Sequence, residues 1–116
     1  MEFNRIDESE LTRELIQFRR QRHKMPENAW TEFLTTSEII RKLQELEIPY
    51  MYGRDIHTRG ERYGVPAEEV LEKCMKRAIE EGADPELVEG MRGGYTGAGG
   101  IIDTGIPGPV TAIRFD

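Results

Sequence analysis

Few residues in this sequence are of a type that does chemistry, and their spacing narrows what that chemistry can be. His23 and Glu27 stand at i, i+4, a spacing that on a helix puts both on one face and suits a metal. Pro26 lies between them and breaks the helix that this geometry needs. His57 sits in a polar stretch, and Cys74, the single cysteine, falls on an apolar helical stripe where a thiol is a small, inert hydrophobe. A zinc centre requires three or four convergent N, S or O ligands, and no cluster of that kind is visible in the spacing. A Ser/His/Asp or Cys/His nucleophile arrangement has no better local support. The stretch "GGYTGAGG" invites comparison with phosphate loops, in which backbone N–H groups and a helix N-terminus converge on an anion. Here the glycines lead into a strand and no Lys-Ser/Thr pair follows. Gly97, Gly99 and Gly100 are therefore expected to let the backbone enter a crowded strand. Trp30 and Phe33, close to Pro26, read as a packing anchor rather than a ligand stack.

The elements that must position these residues are legible in outline. Asp7 to His23 (7–23) reads as a helix, with capping-box spacing at Asp7 and Glu10 and an apolar stripe of Leu11, Leu15 and Phe18. Pro26 ends it. A second helix is expected over 35–47, opened by Thr35 and Glu38 and carrying Ile39, Ile40, Leu43 and Leu46 on its apolar face. "PYMYG" after it suits a short edge strand, where proline is tolerated. Residues 53–65, "GRDIHTRGERYGV", lack periodicity and read as a loop. Pro66 at N1 opens a third helix over 66–81, with Val70, Leu71, Cys74, Met75, Ala78 and Ile79 as its stripe and Gly82 at C′. Asp84-Pro85 starts a short fourth helix, 85–91. Two β-rich runs, 98–103 and 109–115, flank "TGIPGP" and read as a hairpin. The order suits an α/β class, the N-terminal fragment of a helix-flanked sheet domain.

Composition sets outer bounds. The chain has 116 residues, 37% hydrophobic and 33% charged, with a formal net charge of −6. One domain with a lean core fits that length. The acidic balance argues against nucleic acid or an anionic membrane as partner, because both need clustered Lys and Arg. The mixed charges of "DESELTRE" and "EEVLEKCMKRAIEE" read as solvated helix faces. One cysteine excludes an intrachain disulfide. No apolar run approaches the ~18–20 residues of a membrane span and the N-terminus has no apolar h-region, so a cytoplasmic location is expected.

The order of "RRQRHKMPENAWTEFLTTSEIIRKLQEL" adds to this. Arg19-Arg20, His23, Pro26-Glu27, Glu32 and Thr35, followed by Ile40 and Leu43, resemble the opening of the metal-dependent amidohydrolases of the aminoacylase and carboxypeptidase superfamily. More narrowly they resemble the branch with hippurate hydrolase, auxin-conjugate hydrolases and p-aminobenzoyl-glutamate hydrolase. The ending "GIIDTGIPGPVTAIRFD" is similar to that branch's first hairpin, whose strand reads Arg-x-Asp. The stretch 53–95, with "GRDIHTRGERYGVP" and "MRGGYTG", looks like an insertion found in the A-type subunits of the aminobenzoyl-glutamate utilisation subgroup. The resemblance runs from about Leu15 to Asp116, and it makes 1–116 the N-terminal part of a metallohydrolase catalytic domain.

The resemblance implies a parent enzyme that cleaves an N-acyl amino-acid amide, p-aminobenzoyl-glutamate being one such substrate. Zinc or manganese would hold an activated water there, with a glutamate as general base. The family's ligands, a Cys-x-His motif, a Glu-Glu pair and further histidines, have no counterpart in this sequence, so no metal is expected to bind this chain and the chain alone is expected to be inactive. Arg114 and Asp116 match a strand that in other branches carries a ligand histidine and then a supporting aspartate. Arginine stays protonated and cannot ligate, which leaves Asp116 a supporting catalytic role beside the ligands. His23 and Glu27 are expected to be structural. The expected partner is the remainder of the catalytic domain or a second copy pairing through the hairpin edge. The alternative is a small interaction module that uses that edge.

Overall fold

The computed structural model describes residues 8–58 and 60–115. Four helices and a two-stranded antiparallel sheet are present among them: α1 (Glu8–Lys24), α2 (Phe33–Glu45), β1 (Tyr50–Tyr52), α3 (Glu68–Glu80), α4 (Pro85–Gly90) and β2 (Ala98–Gly100). A 3-10 turn, Gly53–Ile56, follows β1 directly. The α/β character expected from the sequence is there, with the sheet assembled differently.

The helix starts show why their boundaries moved. Thr35 was expected to open α2, yet the helix begins at Phe33 because Glu27 reaches across from the preceding turn. Its carboxylate accepts from the Leu34 N–H at 2.9 Å, the Thr35 N–H at 2.8 Å and the Thr35 hydroxyl at 2.6 Å. Donors otherwise orphaned at a helix N-terminus are thereby satisfied, with a negative charge at the positive end of the dipole. Pro66 is not at N1 of α3: Ala67 is the cap, in extended conformation, and the helix starts after it. At the other end of α3, Ala83 N–H donates to Ala78 at 2.9 Å and Gly82 N–H to Ile79 at 3.0 Å, the paired bonds of a Schellman stop. Asp84 caps α4 through the Glu86 N–H at 2.9 Å, with Pro85 at its first position.

The core lies where α2, α3 and α4 meet. Phe33, Leu34, Leu71, Met75, Ala78, Ala83, Val88 and Met91 form one buried cluster, with Met25, Tyr52, Val65 and Cys74 packed against it. On α2 the buried face is Phe33, Leu34, Thr36, Ser37 and Ile40, rotated from the expected stripe, and Ile39 and Leu46 are exposed. Helix α1 buries no residue at all: Leu15 is 58% exposed, and the α1 stripe faces Ile39 and Leu43 across an open groove of about 450 Å³. Lys42 on α2 pairs with Glu14 on α1 across it.

The hairpin is the largest departure. The first arm forms only over Ala98–Gly100, and its partner is β1, in the register Tyr50↔Gly100, Met51↔Gly99, Tyr52↔Ala98. The second arm, 109–115, carries no strand, and every described residue from Ile101 to Phe115 is exposed. Between the two arms Asp103 accepts from the Gly105 N–H at 2.8 Å and Thr104 from the Ile106 N–H at 3.2 Å. These local side-chain bonds take up the backbone groups that a hairpin ladder would use.

Candidate functional site

The loop expected to be featureless, 53–65, builds the densest polar and aromatic cluster of the molecule. It is launched from a backbone that admits no side chain. Gly53 has φ +69°, and a Cβ there would stand 2.5 Å from the Gly90 carbonyl oxygen. The 3-10 turn then presents Arg54 and His57 toward Tyr95, in the segment that leads into β2, while the rest of the loop brings Arg62 and Tyr63 over Trp30.

Tyr95 is the centre. The Arg62 guanidinium carbon lies 3.8 Å from the Tyr95 ring centroid and that of Arg54 lies 4.5 Å from it. Arg62 is also 5.2 Å from the Trp30 ring. The His57 ring meets Tyr95 edge-on, centroids 5.4 Å apart at 83°, and lies 5.8 Å from Trp30. Cations over ring faces are attracted by the ring quadrupole, more strongly as water is excluded. Hydrogen bonds fix the frame: the Trp30 indole N–H donates to the Tyr63 carbonyl at 2.8 Å and Arg62 Nη1 donates to the Gly93 carbonyl at 2.9 Å. His57 Nε2 lies 2.7 Å from the Thr96 carbonyl oxygen. A carbonyl only accepts, so Nε2 carries the proton and the neutral ring has its lone pair on Nδ1.

The glycine-rich segment is held from below. The Thr96 hydroxyl donates to Glu32 Oε2 at 2.7 Å and the Gly97 N–H donates to the Thr36 hydroxyl at 3.1 Å. The Gly94 and Tyr95 N–H groups both donate to the Met91 carbonyl at 3.1 Å. Those amides are already engaged, which removes the phosphate cradle. Gly94, at φ +85°, has room for no Cβ, since one would lie 2.9 Å from the Trp30 carbonyl oxygen. The crowded entry into the strand is what the glycines serve.

Other candidates from the sequence are dispersed. Glu27 is a helix cap and His23 is exposed near the end of α1. Cys74 is half-buried beside the core, and Arg114 is exposed. Asp116 lies outside the described residues. Among the described residues no group of three or more His, Cys, Asp or Glu is gathered to hold a metal. The residues described therefore do not fit the metal that the resemblance implies, and no catalytic step through it is assigned to them. Arg54, Arg62 and Tyr95 were not singled out from the sequence. The one local signal was the recurrence of arginine and aromatic residues within 53–65, which periodicity does not detect.

Electrostatics separates this cluster from the rest of the surface. Arg92 donates to both oxygens of Glu89, at 2.7 and 2.8 Å, and pairs with Glu72, which holds the guanidinium above its ordinary pKa. The hydrogen bond from Arg92 in turn lowers that of Glu89. Arg54 and Arg62 belong to no ion pair among the described residues. Burial raises the pKa of Tyr52, whose ring fills the space over Gly90. No described helix is long and apolar enough to cross a membrane.

With the geometry in place, known proteins can be set beside it. No protein-family model matches the chain. The chain is 37% identical over 107 residues to indole-3-acetyl-aspartic acid hydrolase of Enterobacter agglomerans, a match covering 92% of the chain and 24% of that protein. It is 35% identical to the A-type subunit of p-aminobenzoyl-glutamate hydrolase of Escherichia coli K12, covering 91% and 24%. Its fold superposes on the crystal structure of an aminobenzoyl-glutamate utilization protein from Klebsiella pneumoniae with a TM-score of 0.82 at 36% identity, over 87% of the chain and 25% of that protein. The chain thus spans about a quarter of the length of the relatives it matches. Over nine-tenths of its own length it is a relative of the A-type subunits of the aminobenzoyl-glutamate hydrolases.

Proposed function

We propose that this chain is the N-terminal portion of the catalytic domain of a cytoplasmic, metal-dependent amidohydrolase. The parent cleaves an N-acyl amino-acid amide, with p-aminobenzoyl-glutamate as the first substrate to test. The carrying observation is the identity of 35–37% across nine-tenths of the chain to hydrolases named for amides of aspartate and glutamate. In this proposal zinc or manganese is held by residues outside the chain, 53–95 is an insertion particular to the subgroup, and Asp116 supports the site from beside the ligands.

The surfaces support a larger body around these residues. Val110 is 97% exposed and Phe115 87% exposed, within a run apolar at nearly every second position on both sides of the backbone. A strand of that pattern suits burial on two faces. Helix α1 buries nothing, and Arg22 on it has two guanidinium nitrogens, Nε and Nη1, that are buried without a hydrogen-bond partner. Buried charged donors are costly when unpaired, so a carboxylate from elsewhere suits that position. In this proposal the remainder of the catalytic domain supplies it.

The test is to incubate the chain with zinc or manganese and p-aminobenzoyl-glutamate, alone and joined to the polypeptide that continues it. No turnover and no stoichiometric metal are expected from the chain alone, with hydrolysis restored in the longer protein. Turnover by the 116 residues would refute the proposal. A second reading, an interaction module that pairs through 109–115, is favoured by the exposure of that segment. A stable dimer in light scattering that is lost on deleting 109–115, with no activity in the longer protein, would favour it.

A further inference from the structure

The Arg54–Tyr95–Arg62 stack has a charge state that the loop's architecture alone does not require. Two guanidinium groups lie within 4.5 Å of one ring centroid in a chain of net charge −6, and neither has a carboxylate partner among the described residues. The nearby acids are engaged or directed elsewhere. Glu32 accepts from Thr96, Glu61 accepts from the Tyr63 hydroxyl at 3.4 Å, and Asp55 is close enough to Tyr52 to help raise its pKa. Arg92 on the same molecule shows the ordinary outcome, with two carboxylates gathered round one guanidinium.

A guanidinium stacked on a ring keeps its in-plane N–H groups free, and its planar fork matches the two oxygens of a carboxylate. Stacking also fixes the plane before a ligand arrives, which lowers the ordering cost of binding. Arg62 uses one nitrogen, Nη1, on Gly93, and the Arg54 guanidinium makes no hydrogen bond among the described residues. His57 has its Nε2–H committed to Thr96 and contributes its edge rather than a donor. Two cations held this close repel each other, and an anion between them relieves that repulsion.

We propose that Arg54 and Arg62, ordered on Tyr95, form a carboxylate-binding site whose ligand is the acidic amino-acid half of an N-acyl amino acid. The choice of ligand rests on the amidohydrolase proposal above; the site itself rests on the geometry.

Trp30 is the only tryptophan, and its indole lies beside Arg62, so its N–H proton resonance reports on the cluster. The chain is titrated with p-aminobenzoyl-glutamate, glutarate, p-aminobenzamide and inorganic phosphate. A saturable shift is expected with the first two and none with the uncharged benzamide. Arg54→Gln should weaken binding about tenfold or more, as expected for loss of a charge-assisted pair. Arg62→Lys, which keeps the charge and removes the fork, should also weaken it, and Arg41→Gln on α2 should leave it unchanged. The absence of a saturable shift, an equal shift with benzamide, phosphate binding as tightly as glutarate, or unaltered binding in Arg54→Gln would each overturn the site. Glutarate binding in a chain whose longer protein hydrolyses no acyl amino acid would keep the site and discard the amidohydrolase proposal. Hydrolysis with a KM indifferent to Arg54→Gln would do the reverse.

Discussion

Two parts of this chain are comparably apolar and have opposite fates. From Met25 to Gly100 the large side chains find one another: Phe33, Ile40, Val88 and Met91 are almost wholly buried, and even the polar loop 53–65 is tied down through Trp30 and Tyr95. From Ile101 to Phe115 the chain carries Ile101, Ile102, Ile106, Val110, Ile113 and Phe115, and all six are exposed. Hydrophobicity is the same driving force in both. What differs is the supply of partners, because burying apolar area needs a second surface of matching shape. An apolar run states how buried a segment is meant to be and leaves its neighbour unnamed.

The sharpest way to break this contrast is in the core. Phe33→Ala removes a fully buried ring at the start of α2, and we expect a loss of about 3–5 kcal/mol, read by thermal or denaturant unfolding. A loss below about 1 kcal/mol, within the range of ordinary surface changes, would mean that the core is not centred on α2. Glu27→Ala comes next. It removes the acceptor for two backbone amides and the Thr35 hydroxyl, and about 1–2 kcal/mol is expected by analogy with lost helix caps. Thr35→Ala, which leaves both amides bonded, should cost less.

Those same residues show how far the sequence could be read. The four helices were legible because their apolar spacing and stop signals are local, and Asp84-Pro85 and Gly82 act within a few residues of where they stand. The start of α2 was not, because its cap comes from Glu27, eight positions before Thr35, across a turn that Trp30 makes with φ +69°. The strand pairing was half legible: the edge strand at Tyr50–Tyr52 and a strand from Ala98 were both expected, but not with each other. Pairing across that many residues is set by how α3 and α4 fold back between the strands. The cluster at Tyr95 was illegible for the same reason. Arg54, Arg62, Trp30 and Tyr95 are gathered by tertiary contacts, and the only local trace is a loop rich in arginine and aromatic residues.

A subtler effect is expected from Tyr52, which joins the sheet to the core. Burial raises its pKa above the ordinary 10, so the folded state holds the phenol proton more tightly than the unfolded state does. The stability this contributes is fully present below pH 10 and is lost as the pH climbs through the raised value. Tyr52→Phe should therefore flatten part of the alkaline fall in the denaturation midpoint between about pH 9 and 11. An alkaline slope identical in the two proteins would place Tyr52 in water.

The smallest effect belongs to the exposed segment, and it separates the two regions most directly. Ile113→Ser with Phe115→Ser should leave the stability of this chain within about 0.5 kcal/mol, because neither side chain is packed. The same double change should reduce any concentration-dependent association, since an apolar, unpaired stretch is a template for pairing. In the longer protein proposed above, where these side chains gain partners, the pair should become costly, with each large-to-small change approaching the loss seen for Phe33→Ala. A substitution that is silent in one context and severe in the other would locate the missing surface beside this segment. A double variant as damaging as Phe33→Ala in the 116-residue chain itself would show that the segment is already packed.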